Sequence, residues 1–424
     1  MFPLQSVPAT SATVAVASSC PGTNWPTYLG SVTRQGSELG ERTLSPANAS
    51  RLTELWNYST GRPVAANPAI VGGVVYVGSW NGDEYAIRAS TGALLWKSFL
   101  GIDPKMKGAL GITSSATVSG GVVYVGGGNS SFYALNASTG KMLWRMFWEN
   151  VSSGYYNWAS PLIEGGNAYL GVSSLNDAAV RGALLEVSLS THKTLHEFFT
   201  IAKGDLGATV WTSPAYDALS GSVFVTTGNP PANNSSRGES ILMLNATSLT
   251  LKGSWAVPTA EVTLDGDMAS TPVLFTTRAG APMVSASDKD GRTFAWNRSH
   301  LSAGPLWNQS VAVPSNLTHN GNLGPMAYGG GMLFVGTTLT NLSGVLHNAS
   351  VQAFVAGTGA PVWATPLDTG VIQAAPVYAN GVVVVGAGPV VYVLNASNGI
   401  VLYHYLTHTK VTFWGPGAIS RGEF

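Results

Sequence analysis

The chain repeats itself, and this repeat constrains the fold more than any other feature. NPAIVGGVVYVGSWNGDEYAIRASTGALLW and SSATVSGGVVYVGGGNSSFYALNASTGKMLW share the core GVVYVG, which starts at Gly73 and at Gly121, 48 residues apart. Each segment holds an apolar strand, a Gly/Asn turn, a second strand, an STG turn and a strand that contains a Trp. Units of this kind, with about four strands each, predict a β-propeller.

Further units follow with sequence drift, at 159–198, 212–255, 270–307, 323–363 and 374–403. The chain ends resemble parts of one more unit, because 414–420 matches an opening strand and 52–61 matches a closing strand. We therefore expect an all-β, eight-bladed β-propeller, with seven full blades and one composite blade, complete or not, closed by both termini. The expected organisation is a flexible segment or signal remnant over 1–25 and one propeller over 26–424.

Composition excludes several classes of protein. Only 10% of the residues are charged, against about a quarter in a typical domain, and 21 basic residues balance 21 acidic ones. This balance gives no electrostatic basis for binding nucleic acid. The single cysteine, Cys20, excludes an internal disulfide. No apolar run reaches the length of about 18 residues that a membrane span needs.

Two features predict an extracellular or cell-surface protein. Low charge limits repulsion between basic groups when acid protonates the carboxylates, which suits an acidic habitat. Asn-X-Ser/Thr sequons, possible glycan sites in secreted proteins, occur at Asn48, Asn57, Asn129, Asn136, Asn150, Asn233, Asn234, Asn245, Asn297, Asn308, Asn316, Asn341, Asn348 and Asn395. Chance in a chain rich in Asn, Ser and Thr is the alternative explanation for the sequons.

One position of the repeat carries large aromatic and amide side chains. Five units contain a proline in the sequence ASP, TSP, STP, LGP or AAP. The residues three places before these prolines are Trp158, Trp211, Ala269, Asn322 and Gln373, and alignment adds Trp414 as the sixth. Because these loops enter the innermost strands, we expect the set to line a pocket at the central channel. For any single tryptophan, ordinary packing between blades is the alternative.

The repeat GVVYVGSWNGDEYAIRASTGALLW resembles that of the quinoprotein, or PQQ-type, eight-bladed propellers. LSPANASRLTELW resembles the polyvinyl alcohol dehydrogenase-like branch of that family. The resemblance implies the cofactor PQQ (pyrroloquinoline quinone), calcium and a small-molecule substrate. It also implies an external electron acceptor, since the chain has no CxxCH haem motif. Scaffold propellers without a cofactor share the same repeat.

Local motifs extend the resemblance residue by residue. In TVWTSPAYDALSGSVFVTTGNPP, it implies that Trp211 stacks on the quinone, that Thr209 contacts the cofactor and that Asn229 offers its side-chain oxygen to calcium. A broad aromatic face suits a planar group, and oxygen ligands suit a hard cation. The alternative for TTGNP is a turn. Trp158 and, less securely, Ser174 fall at cofactor-lining positions.

Two acidic residues match the remaining calcium ligands. In NDAAVRG, Asp177 falls where the family has an acidic ligand, and a loop carboxylate is the alternative. In LDGDMASTP, Asp267 matches the family's catalytic aspartate, which implies a base that also binds the metal. Asp-Gly turn chemistry is the alternative there.

The run DKDGRTFAWNR places four charges in one turn of a chain that is otherwise poor in charge. By resemblance, Lys289 matches the basic residue that polarises the quinone carbonyl, where an ammonium stabilises developing negative charge. The alternative is a solvated Asp-Gly hairpin.

The sequence therefore predicts a secreted PQQ- and calcium-dependent alcohol dehydrogenase-like oxidoreductase. One alternative is an acid-stable extracellular enzyme on the same propeller, similar to tetrathionate hydrolases. Another is a non-catalytic extracellular binding or surface scaffold. The family's paired cysteines are absent, and the sequence does not define the substrate, the acceptor or the oligomeric state.

Overall fold

The computed structural model describes residues 24–103, 110–147, 153–174, 180–229, 237–263, 266–315, 324–407 and 412–424, and the backbone of 10–15. Seven sheets, each with four consecutive antiparallel strands, follow one another along these ranges, and two of them carry a fifth strand. The first strand of each sheet contacts the first strand of the next, from the first sheet to the seventh. The first strands therefore form the wall of a central channel, which confirms the all-β propeller. No helix in the described ranges is long and apolar enough to span a membrane.

Each blade uses four consecutive strands, and its first strand is the innermost. In chain order the blades are β4 (Ala69–Val71), β5 (Val74–Gly78), β6 (Asp83–Arg88), β7 (Leu94–Phe99); β8 (Thr117–Ser119), β9 (Val122–Gly126), β10 (Ser131–Asn136), β11 (Met142–Phe147); β13 (Leu162–Glu164), β14 (Asn167–Ser174), β15 (Ala183–Ser188), β16 (Thr194–Phe199); β17 (Ala215–Asp217), β18 (Ser222–Thr226), β19 (Ser240–Asn245), β20 (Leu251–Ala256); β21 (Val273–Thr276), β22 (Pro282–Ser287), β23 (Arg292–Asn297), β24 (Trp307–Ser310); β25 (Ala327–Gly329), β26 (Met332–Leu342), β27 (Val345–Val355), β28 (Pro361–Pro366); and β29 (Val377–Ala379), β30 (Val382–Ala387), β31 (Val390–Asn395), β32 (Val401–Leu406).

The remaining strands are β1 (Thr10–Ala15), β2 (Ser37–Glu38), β3 (Thr53–Ser59) and β12 (Tyr155–Tyr156). Short 3-10 turns occupy Tyr28–Gly30, Ala49–Arg51, Thr259–Glu261 and Leu301–Ala303. The second and third strands of each blade are buried between neighbouring blades, as their apolar runs require. The outermost strands alternate between exposed and half-buried residues, since only one face is covered.

A tryptophan on the closing strand docks each of several blades onto the next. The indole Nε1 of Trp96 donates to the Ala137 carbonyl of the next blade at 2.8 Å. Trp307 and Trp363 each make the equivalent bond to a carbonyl of the blade that follows their own. Trp56 on β3 makes the same bond to the Ala89 carbonyl of the first blade. The strand β3 therefore occupies the place of a closing strand beside the first blade.

The described residues form seven blades, and not the eight that the sequence predicts. At the last position, β3 pairs with β1 and with no other strand in the described ranges. From the C-terminal end, Ala418 and Ile419 pack into the core between the seventh and first blades. Both segments match the repeat locally, but no described strand joins them into one sheet.

Residues 24–38 cross the inner strands of all seven blades on one side of the channel. Their hydrogen bonds to successive blades are Trp25 with Ile70, Val118 to Pro26, Arg34 to Pro161, Tyr216 to Val32, Leu274 to Thr33, Tyr328 to Gln35 and Tyr378 to Gly36. The segment ends in β2, which pairs parallel with β29. This part of the chain has no repeat periodicity, and the sequence did not predict its path.

Four sequons share one turn of the repeat, between the third and fourth strands of a blade. In each, the Asn Oδ1 accepts a hydrogen bond from the backbone N–H two residues later, at 2.9–3.0 Å: Asn136, Asn245, Asn297 and Asn395. Asn is favoured there because its side chain closes the turn. Turn chemistry therefore accounts for the recurrence of these four sequons, and glycosylation stays a prediction.

Replacing the docking tryptophan of the first blade tests how the blades are held together. Trp96 is 8% exposed. We expect Trp96→Ala to lower the free energy of unfolding by about 3–5 kcal/mol, the usual cost of removing a buried aromatic side chain. Urea denaturation followed by circular dichroism measures the change. Leu219→Ala, at a side chain 87% exposed, is the control, and equal effects of the two variants would contradict this packing.

Candidate functional site

The first strands and the loops that enter them surround a cavity of about 200 Å³ on the channel axis. Five residues of the predicted ring line this cavity: Trp158, Trp211, Ala269, Gln373 and Trp414. The sixth, Asn322, lies outside the described residues. The structure thus brings the aromatic and amide residues of one repeat position together around one cavity.

The other described residues of the cavity wall are also uncharged. They contribute hydroxyl groups of Thr113, Ser115, Ser160, Thr212, Ser213 and Thr271, the ring of Tyr28, and alanine and proline side chains. The described part of the wall therefore offers aromatic faces and neutral hydrogen-bonding groups.

A belt of hydrogen bonds between blades supports this wall. The backbone N–H of Asn67 donates to Ser115 Oγ, that of Ser115 to Ser160 Oγ, and that of Ser160 to Ser213 Oγ, at 2.7–2.9 Å. Ser213 N–H continues the belt to Thr271 Oγ1 at 3.0 Å. Each bond joins one blade to the next, so the belt fixes the spacing of the wall. Its sequence signal is the Ser or Thr that recurs two positions after the ring residue, which the sequence reasoning missed.

Asp267 and Lys289 form a buried ion pair next to the cavity. Lys289 Nζ lies 2.5 Å from Asp267 Oδ2, and the Lys289 backbone N–H donates to the Asp267 carbonyl at 3.0 Å. Asp267 is fully buried and Lys289 is 9% exposed. The ammonium also lies 5.9 Å from the ring centroid of Trp211, which is on the cavity wall. Three of the residues singled out in the sequence therefore meet at one place.

Gly228 makes this approach possible. A Cβ at this position would lie 2.7 Å from Asp267 Oδ1 and 3.2 Å from Trp211 Nε1, so any side chain would displace one of them. The sequence reasoning treated TTGNP as a motif for Asn229 or as a turn, and missed that its glycine packs against the ion pair. Asn229 follows directly, and its carbonyl accepts from Ala208 N–H at 2.7 Å.

The other predicted site residues lie behind the wall or outside the described ranges. Thr209 is buried, and its carbonyl accepts from Gly228 N–H at 2.9 Å. The carbonyl of buried Ser174 accepts from Trp158 Nε1 at 2.9 Å. Neither Thr209 nor Ser174 is among the residues that line the cavity. Asp177 lies outside the described residues, and within them no group of three His, Cys, Asp or Glu side chains is arranged to hold a metal ion.

Two further carboxyl groups, Glu239 and Asp288, lie buried beside the ion pair. Glu239 packs against Gly266, because a Cβ atom added to Gly266 would lie 2.5 Å from each carboxyl oxygen of Glu239. Neither oxygen of Glu239, nor Oδ2 of Asp288, meets a hydrogen-bond donor in the described structure. Glu239 is 1% exposed and Asp288 is fully buried, so negative charge on either carboxyl group is unfavourable.

Burial and neighbouring charges favour the protonated form of both carboxyl groups. Burial first, then the negative charges of Asp290 and Asp267, raise the pKa of Glu239 to about 8. Burial also raises the pKa of Asp288 well above its usual value. The carboxylate of Asp290 is paired with the guanidinium of Arg292. The sequence reasoning missed Glu239, since an acid at the start of a strand looks like an ordinary solvated residue.

The comparisons with known proteins agree with this fold. Residues 44–230 and 207–420 match a family model described as outer membrane protein assembly factor BamB. These matches span most of the chain, so the protein is a PQQ-type β-propeller. It belongs to the family that this model describes. A comparison with curated protein sequences gave no match.

Solved structures of dehydrogenases are similar in fold. A europium-containing methanol dehydrogenase is 16% identical with a TM-score of 0.78, over 93% of this chain and 86% of its own. The quinohemoprotein alcohol dehydrogenase of Comamonas testosteroni is 17% identical with a TM-score of 0.76, over 93% and 74%. A quinohemoprotein alcohol dehydrogenase of Pseudomonas putida HK5 is 16% identical with a TM-score of 0.75, over 93% and 73%. At these identities the likeness shows the fold alone.

The raised pKa of Glu239 predicts a pH-dependent stability. The folded protein keeps a proton on Glu239 up to about pH 8, whereas the unfolded chain releases it near the usual value of 4.5. The free energy of unfolding should therefore fall as the pH rises through this window. Glu239→Gln should make the decline shallower, as measured by urea denaturation at several pH values. The exposed Glu197→Gln is the control. Parallel pH profiles for Glu239→Gln and the wild type would contradict the raised pKa of Glu239.

Proposed function

We propose that the protein is a PQQ-dependent alcohol dehydrogenase-like oxidoreductase that acts on small alcohols. The observation that carries the proposal is the buried Asp267–Lys289 ion pair beside the indole of Trp211 on the cavity wall. The fold likeness to methanol and alcohol dehydrogenases supports it. Secretion, an acidic habitat and an external electron acceptor belong to the proposal as well.

The residues present fit the cofactor. A planar quinone needs an aromatic face, and the indoles of Trp158 and Trp211 line the same cavity. It also needs a cation near a carbonyl oxygen, and the Lys289 ammonium lies next to Trp211. Gly228 has no side chain and so leaves room for Asp267 and Trp211 to lie next to each other. When bound, PQQ would supply a two-electron acceptor for the hydrogen removed from an alcohol carbon.

The protein's own groups would hold charge and move a proton. Asp267 Oδ1 and Oδ2 are the carboxylate oxygens near the cavity, so Asp267 is the group to accept the proton of an alcohol hydroxyl. Lys289 compensates the charge of buried Asp267 and would stabilise negative charge on a carbonyl oxygen beside Trp211. Both effects gain strength because water is largely excluded from these side chains.

Calcium is a further part of the proposal, with Asp177, Asn229 and Asp267 as its ligands. Carboxylate and amide oxygens are suitable donors for this ion. In the described residues, however, Oδ2 of Asp267 is in contact with Lys289. The proton transfer outlined above therefore uses no step through a metal ion.

A binding scaffold is the second candidate, and one observation favours it. None of the described residues that line the cavity is charged, and Asp267 is fully buried behind them. A neutral, aromatic cavity can bind a small molecule without transforming it. Turnover separates the two candidates, because only the oxidoreductase would reduce a dye in the presence of an alcohol.

Reconstitution tests the enzymatic proposal. With PQQ and Ca²⁺ added, we expect dye-linked oxidation of primary alcohols. Asp267→Asn and Lys289→Gln should each lower kcat by about 100-fold or more, the scale of a lost proton acceptor or charge-stabilising group. Asp217→Asn is the matched control, because Asp217 forms a buried ion pair with Arg298 at 3.1 Å and does not line the cavity.

Two results would contradict this function. One is a well-folded protein that takes up no PQQ and reduces no dye. The other is an equal loss of kcat in Asp217→Asn and Asp267→Asn, which would show that any broken ion pair has the same effect.

A further inference from the structure

The N-terminal segment contributes a residue to the cavity. Tyr28, at the start of the 3-10 turn Tyr28–Gly30, is one of the lining residues. The segment is anchored on one side by Trp25, whose backbone pairs with Ile70 and whose indole donates to Asn67 Oδ1 at 3.1 Å. Tyr28 therefore reaches the channel axis from outside the propeller repeat.

A fully buried arginine, Arg34, fixes the segment beneath the cavity. Its guanidinium donates to the carbonyls of Pro214 at 2.8 Å and Pro161 at 3.3 Å, each directly before the inner strand of one of two neighbouring blades. It also donates to Thr27 Oγ1 and to the Tyr28 carbonyl, both at 2.8 Å. A buried charge is tolerated only when it is hydrogen-bonded in this way. Water can replace these hydrogen bonds only if the Arg34 side chain leaves its buried position, so the bonds hold the segment in place.

The ring of Tyr28 lies against a buried cation. The Arg34 guanidinium carbon lies 5.9 Å from the ring centroid, within the range of a cation–π contact. Tyr28 lines the same cavity as Thr271, the last member of the belt between blades. Burial raises the pKa of Tyr28 to about 12, so the phenol is neutral at physiological pH. The ring is thus an uncharged surface next to the anchoring guanidinium of Arg34.

We propose that Tyr28 is the floor of the central cavity and sets the depth to which a bound molecule can reach. The cavity is then a blind pocket, entered from the side where Trp414 is 48% exposed. The identity of the bound molecule as a small alcohol rests on the proposed function, whereas the floor itself does not. Tyr28 is accordingly a specificity-determining residue that favours short alcohols over long ones.

Thiol labelling tests the floor without any ligand. In a Cys20→Ser background, Ala269→Cys places a reporter on the cavity wall. Methyl methanethiosulfonate is the small reagent, and fluorescein maleimide is the bulky one. We expect Tyr28→Ala to raise the labelling rate of the bulky reagent by about tenfold and that of the small reagent much less. Tyr28→Phe, which keeps the ring, should leave both rates as they were.

Tyr392→Ala is the matched control, because Tyr392 lies on β31 and does not line the cavity. Equal labelling rates in the presence and absence of the Tyr28 ring would overturn the proposal. Circular dichroism checks the fold of each variant, and Tyr28→Leu replaces Tyr28→Ala if the latter does not fold. An unchanged rate in Tyr28→Leu would overturn the proposal equally.

Activity gives the second readout. In the reconstituted enzyme, Tyr28→Ala should raise the ratio of kcat/KM for octanol to kcat/KM for ethanol by about tenfold. An unchanged ratio would contradict the assignment of Tyr28 to specificity. If the labelling rates change as expected but no variant oxidises any alcohol, the floor stands and the proposed function fails.

Discussion

The ring of blades depends on the contact between residues 24–38 and the innermost strand of every blade. In a propeller each blade otherwise touches only its two neighbours, so the positions of distant blades are linked only through the ring. One segment that hydrogen-bonds to all seven blades, at or directly before their inner strands, fixes them relative to each other directly. The buried guanidinium of Arg34 strengthens this contact, because two of its hydrogen bonds go to carbonyls of the assembled ring.

The candidate site follows from this assembly. Trp211 lies directly before the fourth blade, whereas Asp267 and Lys289 belong to the fifth. The site therefore exists only where these two blades meet. The belt that runs to Thr271 holds the same two blades at a fixed spacing. Behind them lie the buried carboxyl groups of Glu239 and Asp288, whose raised pKa values favour the neutral form and so limit the negative charge near Asp267. The immediate surroundings of Asp267 are therefore set by burial and by Lys289, and not by the cavity wall.

Much of this arrangement is readable from the sequence, for physical reasons that can be stated. Repetition at a fixed period gives equivalent residues equivalent places, so Trp158, Trp211 and Gln373 were expected on one cavity before any coordinates. The number of blades was not predictable in this way. The sequence of β3 matches a closing strand, but β3 pairs with β1, which lies outside the repeat. Tyr28 escaped prediction because its segment is held by long-range backbone bonds. Glu239 escaped it because the residue it packs against, Gly266, lies in the chain that leads into the next blade.

The central claim is that the groups around Trp211 form a site for a planar quinone. A crystal structure of the protein grown with PQQ tests it most directly. The account predicts one PQQ per chain in the central cavity, with its rings on the indole of Trp211 and a carbonyl oxygen facing Lys289 Nζ. An empty cavity at saturating PQQ, or PQQ bound only on the outer surface of the blades, would contradict it.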